Sequence, residues 1–251
     1  MGTFPFGAPV NDLAMGLPRR RVRAFVLGAY PSAVHVEWTP PPGLGKRVAA
    51  LPVDNEPYPF WDGSGMDHFV ERWRSDHFDA SWGSVKPSTM NGSSGRVLHQ
   101  RWLRPLGVDP MDYFVTDCLP TSMLSTGVAK QVTGDGVYAS LVTALGLPEV
   151  DMKPHPSEGD IVRQAALQHE RIREQILASG AEILVTLGNA AARVVQQITG
   201  HAEGVLTEGT YRQARAIRID RRSLTWHALV HPAVRPPWDA RHDAWISSQA
   251  G

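Results

Sequence analysis

Short apolar runs that end in glycine or a polar loop alternate along this chain with stretches of helical period. Arg23 to Leu27 is one such run, closed by Gly28, and has the form of a buried parallel strand meeting a loop. Val34 to Trp38 alternates apolar and polar positions, Pro40 to Gly43 breaks the chain, and Arg47 to Val53 is apolar again, which predicts an accessory hairpin. Phe69, Val70 and Trp73 predict a helix over Asp67 to Phe78, and Val97, Leu98, Trp102 and Leu103 predict another from Arg96 to about Leu106. Tyr113 to Val115 is the next strand. Residues 136–145 read as a short helix and residues 158–178 as a long one. The long one carries Ile161, Ala165, Ile172 and Ile176 on one face, Ser157 as N-cap and Gly180 past its end. Ile183 to Thr186 is a buried strand leading through Gly188 and Asn189 into a helix with Ala191, Val194, Val195 and Ile198. Arg215 to Ile219 and Trp226 to Val230 are the last two strands, and a helix around Asp239–Ser247 closes the chain.

Strands alternating with helices predict an α/β fold of three layers, a mainly parallel central sheet with helices on both faces. No repeat, low-complexity tract or linker interrupts the pattern. A single domain over residues 1–251 is therefore expected, with residues 1–18 as an irregular lead-in.

Composition narrows the picture. The chain is 42% hydrophobic and 20% charged, which excludes a disordered polypeptide. The formal net charge is zero, so no global basic field points to nucleic acid, and a DNA partner must be met by a local patch. The run Arg19-Arg20-Arg21-Val22-Arg23 reads either as such a patch or as a solvated strand entrance. Cys118 is the single cysteine; it excludes an intrachain disulfide and reads as a small buried hydrophobe. No stretch approaches a membrane span and the N-terminus lacks a signal-peptide pattern, so a cytoplasmic protein with no membrane partner is expected; a monomer is a separate expectation.

In open α/β sheets ligands bind beyond the carboxyl ends of the strands. Three strand ends here carry unusual residues: Gly28-Ala29-Tyr30-Pro31-Ser32, Asp117 to Pro120, and His231-Pro232-Ala233-Val234-Arg235. Singly, the first also reads as a turn and the last as a loop cap. Their convergence is the signal.

In that order, the three segments resemble the uracil-DNA glycosylase superfamily, over most of residues 22–248. The resemblance makes Gly28 to Ser32 the loop that usually holds the water-activating residue. It makes Pro87-Ser88-Thr89-Met90-Asn91 similar to the loop that pinches the DNA backbone, so Ser88 and Asn91 are expected at DNA. Tyr113 to Asp117 matches the base-reading strand, and Leu184 to Val195 the strand–glycine–helix segment. In the final loop, the resemblance implies that His231 supports the leaving base and that Arg235, Val234 or Pro236 wedges into the duplex. The chain departs from the family at Ala29 and Tyr30, where an acid or amide is usual. If hydrolysis occurs, a carboxylate must come from elsewhere, and Asp54 or Glu56, flanking Asn55, is the best source. The same run also reads as a polar turn before an aromatic core segment. Phe60 is the preferred platform under a flipped ring, or else a core phenylalanine. Tyr30, Ser32 and Asn55 complete the expected surroundings of the base. One cysteine cannot hold the iron–sulfur cluster of one branch of the family, and no cofactor or metal is expected.

The family usually places an asparagine where this chain has Asp117. An asparagine amide complements the N3–H and O4 of uracil, whereas an ionised aspartate faces O4 with lone pairs only. Cytosine offers an N4 amino donor, which aspartate accepts, and an N3 acceptor, to which a protonated aspartate can donate. Ser32 stands where the uracil-selective branch has a tyrosine that blocks C5 substituents. Asp117 also reads as an N-cap or a salt-bridge partner unrelated to DNA; taken as a base reader, it and Ser32 point to a C5-modified cytosine, such as glucosylated hydroxymethylcytosine in phage DNA, flipped from the helix and cleaved at its N-glycosidic bond in antiviral defence. The alternatives are ordinary uracil repair with Asp117 tolerated, and a nucleic-acid-binding module that kept the fold and lost catalysis.

Overall fold

The computed structural model describes residues 2–202, 206–211, 213–233 and 236–249. The strands are β1 (Gly2–Thr3), β2 (Pro9–Val10), β3 (Ala24–Gly28), β4 (Ala33–Thr39), β5 (Val48–Asn55), β6 (Ser84–Pro87), β7 (Tyr113–Asp117), β8 (Ile183–Leu187), β9 (Ala214–Ile219) and β10 (Arg222–Leu229). The helices are α1 (Met66–His77), α2 (Ser93–Val97), α3 (Thr126–Val132), α4 (Val137–Leu145), α5 (Glu158–Ala165), α6 (His169–Ser179), α7 (Asn189–Thr199) and α8 (Trp238–Gln249). The backbone groups into two compact units. One comprises Met1–Leu13, Pro31–Ser93 and Thr121–Pro156; the other comprises Ala14–Tyr30, Ser94–Pro120 and Ser157–Gly251.

The second unit is built on a five-stranded sheet in the order β7-β3-β8-β10-β9. β7, β3, β8 and β10 run parallel, and β9 returns antiparallel to β10. The chain is thus mixed α/β around a mostly parallel sheet. β3 is buried at every position. Alternate strand residues face opposite sides of a sheet, so both faces of β3 are covered, which is why its sequence is apolar without alternation. Leu27, Val115 and Val185 lie in β3, β7 and β8, and Val230 directly follows β10. The shared direction brings Gly28, Asp117, Gly188 and the segment after Leu229 to one edge of the sheet. Gly188 turns the chain from β8 into α7 with φ 91°, a conformation that favours glycine, and its N–H donates to the Leu229 carbonyl at 2.8 Å.

Two predicted helices are broken. The long one from Ser157 starts as expected, with a reciprocal cap between Ser157 and Asp160, but a 3-10 turn at Ala166–Gln168 separates α5 from α6. The other continues from α2 as a wide π-type turn, Leu98–Leu103, and then a 3-10 turn, Arg104–Leu106. Pro105 has no amide hydrogen and clashes with the preceding turn, so the α ladder cannot run through it. The wide turn directs Trp102 inward, where its Nε1–H donates to the Val230 carbonyl at 2.8 Å.

His242 of α8 stacks on Trp102 with ring centres 4.0 Å apart and is fully buried. Its Nε2 lies 3.0 Å from the Arg101 carbonyl, and its Nδ1 meets the Tyr211 hydroxyl. A carbonyl can only accept, so Nε2 carries the hydrogen and Nδ1 accepts from Tyr211, which is the neutral ring. Burial pushes its pKa down to about 4. A depressed histidine contributes stability that is present above the unfolded pKa, near 6.5, and lost as pH falls through about 4. Acidification from pH 7 to 4.5 should therefore lower the melting temperature of the wild type more than that of His242→Gln, which keeps a donor and does not titrate. Equal acid sensitivity in the two proteins would count against this neutral, buried ring.

In the first unit β4 pairs antiparallel with both β5 and β6. The predicted hairpin is thus present, with a third strand added. The lead-in is not irregular. β1 and β2 pair, and Phe4 and Phe6 between them are buried. Phe6 sits among Trp38, Trp73, Phe78, Trp82 and Tyr138, with centroid separations of 5.1–5.8 Å. Its N–H donates to the Tyr138 hydroxyl, which donates on to the Pro148 carbonyl. Among the described residues, no helix is long and apolar enough to cross a membrane.

Candidate functional site

Asp117 is the last residue of β7 and lies opposite Gly28 of β3. It is 1% exposed, and neither carboxyl oxygen has a hydrogen-bond partner among the described residues. Burial pushes its pKa up to about 7, and the nearby Arg171 guanidinium opposes part of that rise. A buried carboxyl with no internal partner is costly to ionise, and an apolar residue would suit the end of this strand better if only packing mattered. A buried acid with so perturbed a pKa at the carboxyl end of a parallel sheet is a candidate functional group.

The pairing of β3 with β7 continues beyond both strands. The Cys118 N–H donates to the Gly28 carbonyl and the Leu119 N–H to the Ala29 carbonyl, each at 3.0 Å. That zipper brings the loop after β3 beside Asp117. Tyr30, half-buried in this loop, has its phenol pushed up to about 12, first by burial and then by the charge of Asp117. Cys118 is buried, as its sequence context suggested, and burial raises its thiol pKa.

His231 follows β10 at the same edge of the sheet. β3 and β8 lie between β7 and β10, so the two strand ends are three spacings apart, roughly 14 Å. The Ala233 N–H donates to His231 Nδ1 at 3.1 Å. Nδ1 is therefore the unprotonated nitrogen, and the neutral ring carries its hydrogen on Nε2. Burial pushes the pKa of His231 down to about 4, which keeps the ring neutral at physiological pH. Trp102, through the Val230 carbonyl, fixes the backbone just before this loop.

Arg171 of α6 was not singled out by the sequence, yet it is the most heavily bonded side chain at Asp117. Its Nη2 donates to the carbonyls of Asp117 (2.9 Å) and Cys118 (3.0 Å). Its Nη1 donates to Gln175 Oε1 (2.9 Å) and Thr116 Oγ1 (3.4 Å), and its Nε to Gln168 Oε1 (2.9 Å). Gln175, fully buried, donates in turn to the carbonyls of Met15 and Gly16. Arg171 and Gln175 flank the apolar pair Ile172 and Ile176, so their spacing alone suggests a solvated edge of the helix.

The remaining expected site residues, those of the final loop apart, belong to the first unit. Asp54 is half-buried; its Oδ1 accepts from the Asn55 backbone N–H at 2.7 Å, and burial raises its pKa. Glu56 is buried. The Asn55 side chain holds the lead-in, accepting from the Asn11 N–H and donating to the Pro9 carbonyl, so its amide is already engaged within the fold. Ser32 is exposed, and its carbonyl accepts from the Ser122 hydroxyl. Phe60 is half-buried with φ 54°, a left-handed conformation that costs a non-glycine residue roughly 1–2 kcal/mol.

Ser88 and Asn91 are buried rather than presented to a partner. The Ser88 hydroxyl donates to the Ala49 carbonyl at 2.9 Å. The Asn91 amide brackets His35, accepting from its N–H and donating to its carbonyl, both at 2.8 Å. Their hydrogen-bonding groups are taken up inside the unit, and the exposed residues of that loop are Thr89 and Met90. Of the three expected wedge residues, Val234 and Arg235 lie outside the described residues, and Pro236 is exposed. Arg19, Arg20, Arg21 and Arg23 are exposed and immediately precede β3, at the edge of the sheet opposite Asp117. Of the two sequence readings of that run, this position fits the strand entrance. Among the described residues no group of three side chains could hold a metal ion.

Comparison with models of known protein families and with curated proteins finds no match for this chain.

Proposed function

We propose that this protein is a DNA glycosylase of the uracil-DNA glycosylase type that hydrolyses the N-glycosidic bond of a flipped, C5-modified cytosine and leaves an abasic site. The observation that carries the reading is Asp117, a buried carboxyl with both oxygens unpartnered at the ligand-binding edge of a parallel sheet. Cytosine supplies what this group lacks: N4–H donates to one oxygen and N3 accepts from the protonated other. A pKa near neutrality makes the protonated form accessible.

The chemistry needs charge stabilisation on both sides of the breaking bond. As C1′–N1 cleaves, its electron pair moves to the base, and the oxygen at C2 gains negative charge. His231, neutral with its hydrogen on Nε2, is the donor for that oxygen. Water adds to C1′ and gives up a proton. The sugar side calls for a carboxylate to stabilise the cation and activate that water. Asp54 and Glu56 are the candidates: alanine at the water-activating acid should lower cleavage by several orders of magnitude with DNA binding retained, and wild-type cleavage by both alanine variants would reject both. Within the cytosine class, the serine at position 32 favours a bulky C5 group, and glucosylated hydroxymethylcytosine of phage DNA is the proposed substrate. Unmodified host DNA would then be spared.

The test is release of free base, with formation of abasic sites, from DNA carrying uracil, cytosine, hydroxymethylcytosine or glucosylated hydroxymethylcytosine. The reading expects release from the modified cytosine. Tight binding to DNA without release from any of the four would instead identify a binding module, the alternative suggested by Ala29 and Tyr30 in the first loop.

A further inference from the structure

We propose that Arg171 is the positioning residue of the Asp117 site, a guanidinium that fixes the end of β7 through its backbone and leaves the Asp117 carboxyl unpaired for the base. The inference rests on the reading of Asp117 as the base-contacting group. Thr116, Asp117 and Cys118, three consecutive residues, each accept a hydrogen bond from this one side chain. Among the described residues the guanidinium makes five hydrogen bonds, and none goes to a carboxylate. An arginine this close to an aspartate ordinarily forms a bidentate pair with it. Here Gln168 and Gln175 hold the planar fork so that it faces main-chain oxygens instead, and Gln175 is itself anchored to Met15 and Gly16.

The arrangement does two things. It satisfies the carbonyls where the β ladder ends, which sets the direction in which the Asp117 side chain leaves the strand. It also places a fixed positive charge beside the carboxyl without occupying it. Among the described residues, the charged and titratable groups acting on Asp117 are Arg171 from α6, Tyr30 from the loop after β3 and the adjacent Cys118. Arg171 is the one cation among them. Lysine keeps the charge but not the planar fork, and glutamine keeps neither the charge nor the full reach, so the two substitutions separate the roles.

The experiment is a carboxyl carbon NMR titration of the full chain, labelled at aspartate, for wild type, Arg171→Gln and Arg171→Lys. The Asp117 signal is identified by its loss in Asp117→Asn. Arg171→Gln should move the Asp117 midpoint upward by roughly one pH unit or more, and Arg171→Lys should leave it near the wild-type value. In parallel, Arg171→Lys should lower the ratio of modified-cytosine to uracil cleavage about tenfold, because the carboxyl is no longer aimed. An unchanged midpoint in Arg171→Gln overturns the proposal, as does an unchanged base preference in Arg171→Lys. Should Arg171→Gln fail to fold, the lysine variant's base preference decides alone. If the wild type cleaves none of the bases, the glycosylase reading fails, while the titration still reports whether Arg171 governs Asp117.

Discussion

Asp117→Asn protein is expected to lose activity on modified cytosine by roughly ten- to a hundredfold and to gain activity on uracil. The substitution keeps the volume of the side chain and changes one oxygen into an NH2 group. That group can face the N4 amino group of cytosine, donor against donor, and a mispaired buried polar contact costs about 1–3 kcal/mol. On uracil the same NH2 donates to O4 and the amide oxygen accepts from N3–H. The pH dependence follows from the direction of the shift. Asp117 must carry a proton to donate to N3, and its pKa is raised to about 7, so cleavage of modified cytosine should decline as pH rises above 7. Asp117→Asn should abolish that decline.

The same substitution has a signature that needs no substrate. A carboxyl whose folded pKa is raised contributes stability that is present below the unfolded value, near 3.8, and lost as pH rises through about 7. At pH 8 the wild type therefore carries a buried, unpaired charge. Asp117→Asn should melt higher than the wild type at pH 8, with the advantage vanishing by pH 5. No such crossover would mean that Asp117 is solvated or paired.

The second large effect is expected at His231. Alanine there should lower the rate of base release by about a hundred- to a thousandfold while leaving DNA affinity nearly unchanged, because the donor acts on charge that develops only as the bond breaks. His231→Gln, which keeps a donor, should recover part of the loss. Burial holds the His231 pKa near 4, so apart from the decline above pH 7 set by Asp117 the rate should show no acid limb between pH 7 and pH 5. An acid limb with a midpoint near 6.5 would mean that the ring titrates freely and that its neutral form is not enforced.

The strands of the second unit were legible because their signal is local. Ala24 to Leu27, Tyr113 to Val115 and Ile183 to Thr186 are apolar without alternation, and in a parallel sheet covered on both faces that pattern has few other readings. Asp117 and His231 were legible for the same reason, as polar residues that end such runs. Long-range packing hid the rest. Phe6 looks like part of an irregular lead-in, since two short strands carry too few residues for a period, yet its ring lies at the centre of an aromatic cluster drawn from distant segments. Ser88 and Asn91 resemble surface contacts in sequence, but the backbone of His35 and Ala49 claims their hydrogen bonds. Arg171 and Gln175 have the spacing of an exposed helical pair, and only the fold shows that β7 ends against them. Pro105, which has no amide hydrogen, is the local reason that the helix from Arg96 does not run through.

If the wild-type site is built for a cytosine-type base, the rate of abasic-site formation by the wild type on two matched DNAs shows it. One DNA carries a single glucosylated hydroxymethylcytosine and the other a single uracil in the same sequence. Cleavage of the modified cytosine should be at least roughly tenfold faster than that of uracil, the smallest effect expected from one mispaired buried contact. Uracil cleaved as fast or faster would contradict it.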